Sequence, residues 1–148
     1  MLKLKKSLGQ NFLIDKNIIN KIVSLDRIEG KSILEIGPGS GNLTDSIINK
    51  KPKKIELIEK DPRFCELLKK KYDLKKNCKI FNNDILYYNL NNHTNRDTIV
   101  FGNLPYNIST QILAKFISVK LWPPFYSKII FMFQKEVAER ILAKKNTK

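Results

Sequence analysis

Short apolar runs alternate with amphipathic stretches along the whole of this chain. Five runs, at 32–36, 54–58, 79–82, 98–101 and 128–133, are strand-sized. Asp15 is placed to cap a helix reaching about residue 25, with Ile18, Ile19, Ile22 and Val23 on one face. A second helix over 42–50 turns Leu43, Ile47 and Ile48 inward. Asp61-Pro62 opens a third that ends near residue 72, with proline at the first helical position. Ser109 caps a fourth that extends to about residue 120, where Trp122-Pro123-Pro124 breaks it. A fifth covers 136–145, residues 1–14 read as extended or irregular, and 86–97 reads as a polar, asparagine-rich loop. Strand and helix alternate, which predicts an α/β fold with a mostly parallel sheet and helices on both faces. Crossovers in such a unit are right-handed, and ligands bind at the carboxyl ends of the strands.

Composition narrows the class. The 148 residues suffice for one domain, and a hydrophobic fraction of 42% argues against disorder. No apolar stretch approaches the ~20 residues that span a bilayer, and the lysine-rich start has no apolar run after it to make a secretory signal. Cys65 and Cys78 form no metal-spacing pattern, so no metal site and a reduced, cytoplasmic protein with two free thiols are expected. The net charge of +14 favours a polyanionic partner, nucleic acid above all. Only four of the 28 basic residues are arginine, so an AT-rich coding sequence contributes to the excess.

Three strand ends carry candidate cofactor chemistry. After the first strand comes Gly37-Pro38-Gly39-Ser40-Gly41, a glycine-rich turn leading into a helix. Such turns let a ligand approach the main chain closely, as nucleotides require. The G-x-G-x-G spacing without a glycine at the sixth position, and the stiffening Pro38, favour S-adenosylmethionine over a dinucleotide. Glu59, 22 residues beyond Gly37, ends the second strand and can accept hydrogen bonds from both ribose hydroxyls. Asp61 is a rival, although its place before Pro62 suits a helix cap. At the end of the third strand, Asp84 can accept from an adenine amine and Ile85 can pack on the ring. A local turn is the other use for Asp84.

The fourth strand ends in Asn103-Leu104-Pro105-Tyr106. An adenine amine is a poor nucleophile because its lone pair is delocalised into the ring. Acceptors on its two N–H groups restore sp3 character, and the Asn103 side-chain oxygen and the Leu104 carbonyl could supply them. Pro105 fixes the turn, and Tyr106 offers a stacking face worth ~1–3 kcal/mol to an extruded base. No strong general base is required, so positioning and electrostatics carry the catalysis.

In Gln10-Asn11-Phe12-Leu13-Ile14-Asp15, Glu35–Thr44, Asn103–Thr110 and Phe133–Ala138 with Arg140, the chain resembles the ribosomal RNA adenine N6-dimethyltransferases. The Pro-Tyr-Asn-Ile-Ser-Thr continuation is similar to the small-subunit biogenesis enzymes more than to the macrolide-resistance enzymes. The resemblance implies a Rossmann-like methyltransferase fold over 1–148, with 1–30 as a cofactor-capping segment and helix and 31–148 as an incomplete core. It implies that Asn11 and Leu13 close over the methionine end of S-adenosylmethionine, and that Gly37, Glu59, Asp84 and Asn103 contact the donor, beside the Gly39 and Ile85 positions read from the residues above. The implied product is N6,N6-dimethyladenosine in small-subunit ribosomal RNA, made by a monomer on the small ribosomal subunit during ribosome biogenesis. Chains of that family continue beyond this point with further strands and a helical domain, so a sheet edge and apolar helix faces without partners are expected. Other readings remain open: an assembly factor that binds the cofactor without turnover, a DNA adenine or protein glutamine methyltransferase, and a dehydrogenase.

Overall fold

The short apolar runs became strands and the amphipathic stretches became helices, in the order the pattern predicts. The structure, a computed structural model, describes residues 13–143 apart from positions 94 and 121. Asn11, with Gln10 and Phe12, lies outside the described residues. The elements are α1 (Lys16–Val23), β1 (Ser32–Ile36), α2 (Asn42–Asn49), β2 (Lys54–Glu59), α3 (Pro62–Tyr72), β3 (Cys78–Asn82), β4 (Thr98–Asn103), α4 (Ser109–Ile117), β5 (Tyr126–Met132) and α5 (Lys135–Leu142). All pairings are parallel, in the order β3-β2-β1-β4-β5. The chain therefore reverses its winding beside β1, and β1 and β4 become neighbours at the switch point, where open α/β sheets hold their ligands.

Alternation along each strand divides the core in two. Ile33, Ile55, Leu57, Ile99 and Phe101 pack under α1, α2 and α3. Leu34, Ile36, Ile58 and Val100 pack under Ile112 and Phe116 of α4 and under Ile85 and Leu90 of the β3–β4 connection. That connection is more than a polar loop. Leu90 is buried, and His93 stacks on Phe125 at 5.0 Å between centroids, with its Nδ1 3.4 Å from Glu56. The segment does the work of a helix on that face.

Local chemistry explains most element ends. Asp15 accepts from the N–H groups of Asn17 and Ile18 and caps α1. Asp61 accepts from the Arg63 N–H, caps α3, and is itself gripped by the Arg63 guanidinium at 2.6 Å. The expectation for Ser109 fails. Ile108 is the cap residue of α4, and Ser109 lies inside the first turn, its hydroxyl donating to the Tyr106 carbonyl at 3.4 Å. The turn begun by Pro105, whose carbonyl accepts from the Ile108 N–H at 3.2 Å, delivers the chain into the helix without a side-chain cap. α4 also stops at Ile117, short of residue 120.

On the far side of the sheet the packing thins. β5 has no fully buried residue, and no described strand pairs with its outer edge. α5 buries no residue, and Leu142 is 81% exposed. Among the described residues no helix is long and apolar enough to cross a membrane, and no three acidic, histidine or cysteine side chains could hold a metal.

The turn into α2 is the tightest constraint. Gly41 has φ +82°, and a Cβ there would sit 2.5 Å from Tyr72 Oη and 3.0 Å from Leu68 Cδ2. Gly30, at φ +72°, has nothing within 4 Å of that position. Gly30→Ala therefore pays the left-handed backbone cost alone, while Gly41→Ala adds a clash with a buried ring. We expect a loss of about 1–3 kcal/mol for a non-glycine residue in this conformation, with Gly41→Ala clearly the larger. Urea unfolding midpoints test this, and equal losses would refute the packing constraint.

Candidate functional site

One open cleft lies over the carboxyl ends of β1, β2, β3 and β4. Its walls include Leu13, Gly37, Gly39, Glu59, Asp84, Ile85, Asn103 and Pro105, and it opens to solvent. The residues come from five separate stretches of chain and meet because parallel strands all end on the same side.

The floor is the turn between β1 and α2. Gly37 has φ +64° and Gly39 φ +55°, values that favour glycine. A Cβ on Gly37 would meet nothing within 4 Å, so this stretch of backbone faces open space. Glu59 reaches across from β2. One of its carboxylate oxygens accepts from the Gly39 N–H at 3.0 Å and the other from the Asp61 N–H at 2.8 Å. The side chain is 6% exposed, and burial pushes its pKa above the ordinary value despite those bonds. The Lys60 N–H adds to these bonds, and any further donor would stabilise the ionised form.

Asp84 makes the local turn expected of it and also lines the cleft. Its Oδ1 accepts from the Leu86 N–H at 3.0 Å in a local turn, and its Oδ2 meets Lys60 Nζ at 2.8 Å on the cleft rim. Burial raises its pKa, but Lys60 and the Leu86 N–H outweigh burial and hold the carboxyl below its usual range. Ile85 is buried beside it.

The Asn-Leu-Pro-Tyr segment divides its roles. Asn103 and Pro105 line the cleft. The Leu104 side chain does not; it is 2% exposed and belongs to the core under α4. Its anchoring depends on Gly102, where a Cβ would come within 2.7 Å of Leu104 Cδ2. Tyr106 is 40% exposed and stands outside the lining.

Several lining residues escaped the sequence reading. Asn107, Ile108 and Ile112 form the wall towards α4. Asn42 ties the segment before α1 to the cleft, its side-chain amide donating to the Leu13 carbonyl at 2.9 Å. Nothing local in the sequence marks that bond. Glu35, 1% exposed beneath the turn, accepts from the Thr44 hydroxyl at 2.8 Å. Desolvation pushes its pKa up to about 8, opposed by the Thr44 bond and reinforced by Asp45 and Glu59. An acid within an otherwise apolar strand, two residues before a glycine turn, was the available signal. Both thiols are suppressed: burial raises the pKa of Cys65, and that of Cys78 to about 11.

Comparison with known proteins agrees with this geometry. The sequence model of the family described as ribosomal RNA adenine dimethylase matches residues 1–148. A protein named ribosomal RNA small subunit methyltransferase A from Pelagibacter ubique is 51% identical, over 97% of this chain and 54% of the relative. Its namesake from Mycoplasmopsis synoviae is 48% identical, over 97% and 54%. The chain thus spans about half the length of these relatives. Among solved structures, a dimethyladenosine transferase from Plasmodium falciparum superposes with a TM-score of 0.77 at 31% identity, covering 90% of this chain and 47% of its own. The 23S rRNA methyltransferase ErmE superposes at 0.74 and 25% identity, covering 87% and 50%.

The buried Glu35 makes stability depend on pH. Unfolded, its carboxyl ionises near 4.5; folded, near 8. Between these values the folded state keeps a proton that the unfolded state releases, so stability falls as pH rises from about 4.5 to about 8. Glu35→Gln keeps an acceptor for Thr44 and has no proton to lose. Its urea midpoint should decline less between pH 6 and 8 than that of the parent; parallel declines would refute the assignment.

Proposed function

Because the chain belongs to the ribosomal RNA adenine dimethylase family, we propose that its cleft binds S-adenosylmethionine and presents the methyl group to adenosines of small-subunit ribosomal RNA. The product is N6,N6-dimethyladenosine, and the setting is ribosome biogenesis in the cytoplasm, with the chain acting as a monomer on the small subunit. The observation that carries this reading is the convergence of Gly37, Glu59, Asp84 and Asn103 on one cleft.

The residues present fit that cofactor. The open backbone at Gly37 leaves room for a ligand to lie against the main chain, and the desolvated carboxylate of Glu59, at the end of β2, is an acceptor for the ribose hydroxyls. Asp84 retains acceptor capacity for an adenine amine beside its bonds to Lys60 and Leu86, and Ile85 supplies the apolar wall. Leu13, held by Asn42, contributes to one wall of the cleft.

When bound, S-adenosylmethionine supplies an electrophilic sulfonium methyl. The chain's own residues orient the acceptor. Asn103 Oδ1 and the Leu104 carbonyl take the two N–H groups of the target amine and bias its lone pair towards attack. Burial of the Leu104 side chain fixes that carbonyl, since its neighbours in the core allow little movement. Tyr106, exposed at the rim, stacks on a base swung out of its helix.

Two substitutions separate binding from chemistry. Glu59→Ala removes two charge-assisted hydrogen bonds and should weaken S-adenosylmethionine binding at least roughly tenfold. Asn103→Ala should leave most of that binding while lowering methyl transfer by about 10²-fold or more. Calorimetry with the cofactor, and transfer of labelled methyl to small subunits lacking this modification, supply the two readouts. Cofactor binding without transfer by the unaltered chain would make it a binding factor; transfer to DNA or protein in preference to RNA would sink the acceptor assignment.

A further inference from the structure

The cleft does not account for the net charge of +14. Lys60 is the one basic residue on its described walls, against Glu35, Glu59 and Asp84, and Lys60 is already bound to Asp84. Among the described residues, five lysines without an ion pair lie at the other end of the sheet, where the strands begin. We propose that this end is a second nucleic-acid surface, which holds RNA phosphates through Lys50, Lys51, Lys53, Lys75 and Lys76. The proposal rests on the RNA reading of the cleft.

Backbone bonds bring these lysines together. The 50–53 turn is stitched to the turn before β1 by Gly30 N–H to Lys51 O at 3.1 Å and Lys53 N–H to Lys31 O at 2.9 Å. On its other side, the Asn77 side chain donates to the Pro52 carbonyl at 3.0 Å, and the Ile55 N–H donates to the Asn77 carbonyl at 2.9 Å. Two lysine-bearing turns thus lie side by side across the starts of β2 and β3. All five lysines are exposed, and none has a carboxylate partner among the described residues. The nearby acids Asp26, Glu29 and Asp97 are each taken by Lys128, Arg27 and Lys31, which leaves Asp73 as the remaining acid of these turns.

Lys51 adds an independent sign. It is the one non-glycine residue with positive φ among those described, at +55°. It follows the end of α2, where glycine is the favoured residue. A lysine there accepts backbone strain and gains only an exposed charge. Lipid is a poorer fit than RNA. The exposed large apolar residues of these turns, Leu25 and Leu74, lie on separate loops, so no amphipathic face accompanies the lysines. Strands of five or six residues put this surface roughly 15–20 Å from the cleft. An RNA that reaches both must therefore extend well beyond the target nucleotide.

The test uses K51G/K53Q/K75Q/K76Q with K51G alone as the folding control, since glycine suits the backbone at 51. Affinity for a duplex RNA of arbitrary sequence is measured by fluorescence anisotropy across a salt series. Each lost phosphate contact removes about 0.7–0.9 from the slope of log K against log salt, so the fourfold variant should lose about 3 and bind at least tenfold more weakly at low salt. Its affinity for S-adenosylmethionine and its urea midpoint should match those of K51G. Unchanged slope and RNA affinity would overturn the surface while leaving the cleft reading intact. Failure of the unaltered chain to bind any RNA would overturn the RNA reading, and this surface with it. Capture by phosphatidylserine vesicles without RNA binding would assign the lysines to a membrane and equally overturn the proposal.

Discussion

The carboxylate of Glu59 joins the ends of two strands. It leaves β2, accepts the Gly39 N–H of the turn after β1, and accepts the Asp61 N–H that opens α3. The turn and the helix are therefore positioned by one buried acid. Tyr72, at the other end of α3, completes the bracket by donating towards the Gly41 carbonyl and Asp45, at 3.1 and 2.8 Å. Three glycines in left-handed conformations are held between them, and the open backbone of Gly37 is the result.

This arrangement concentrates acidic side chains where burial is greatest. Glu35 and Glu59 both lie under or beside the turn with raised pKa values, for the same dominant reason, desolvation. Asp84, nearer to solvent and paired with Lys60, moves the other way. The site thus separates a buried acid that keeps its proton near neutrality from a rim acid that has lost it. Among the described residues, Lys60 is the one basic side chain on the cleft walls, while the lysines of 50–53 and 75–76 lie in solvated loops at the strand starts, where they cost little to expose.

The opposite wall depends on packing more than on charge. Gly102 lets Leu104 fold back against Phe131, and the Leu104 side chain then becomes part of the core under α4. Asn103 and Pro105, its neighbours, are left facing the cleft. A segment that reads as four functional residues in a row is thus divided between an anchor, two wall residues and an exposed aromatic ring.

The sequence by itself determined the five strands, the caps at Asp15 and Asp61, the glycine turn, and which strand ends carry polar chemistry. Those features depend on residues within a few positions of one another, through the 2.0 and 3.6 periodicities and through turn chemistry. The cap expected at Ser109 failed because the Pro105 turn, also local, delivers the chain one residue differently. Only the tertiary structure decided that Asn42 holds Leu13, that Glu35 is sealed beneath the turn, that Leu104 is an anchor, and that the lysines of 50–53 and 75–76 share one end of the sheet. Each of those outcomes is set by partners far apart in the chain, and a side chain's burial and protonation follow from what packs around it rather than from what precedes it.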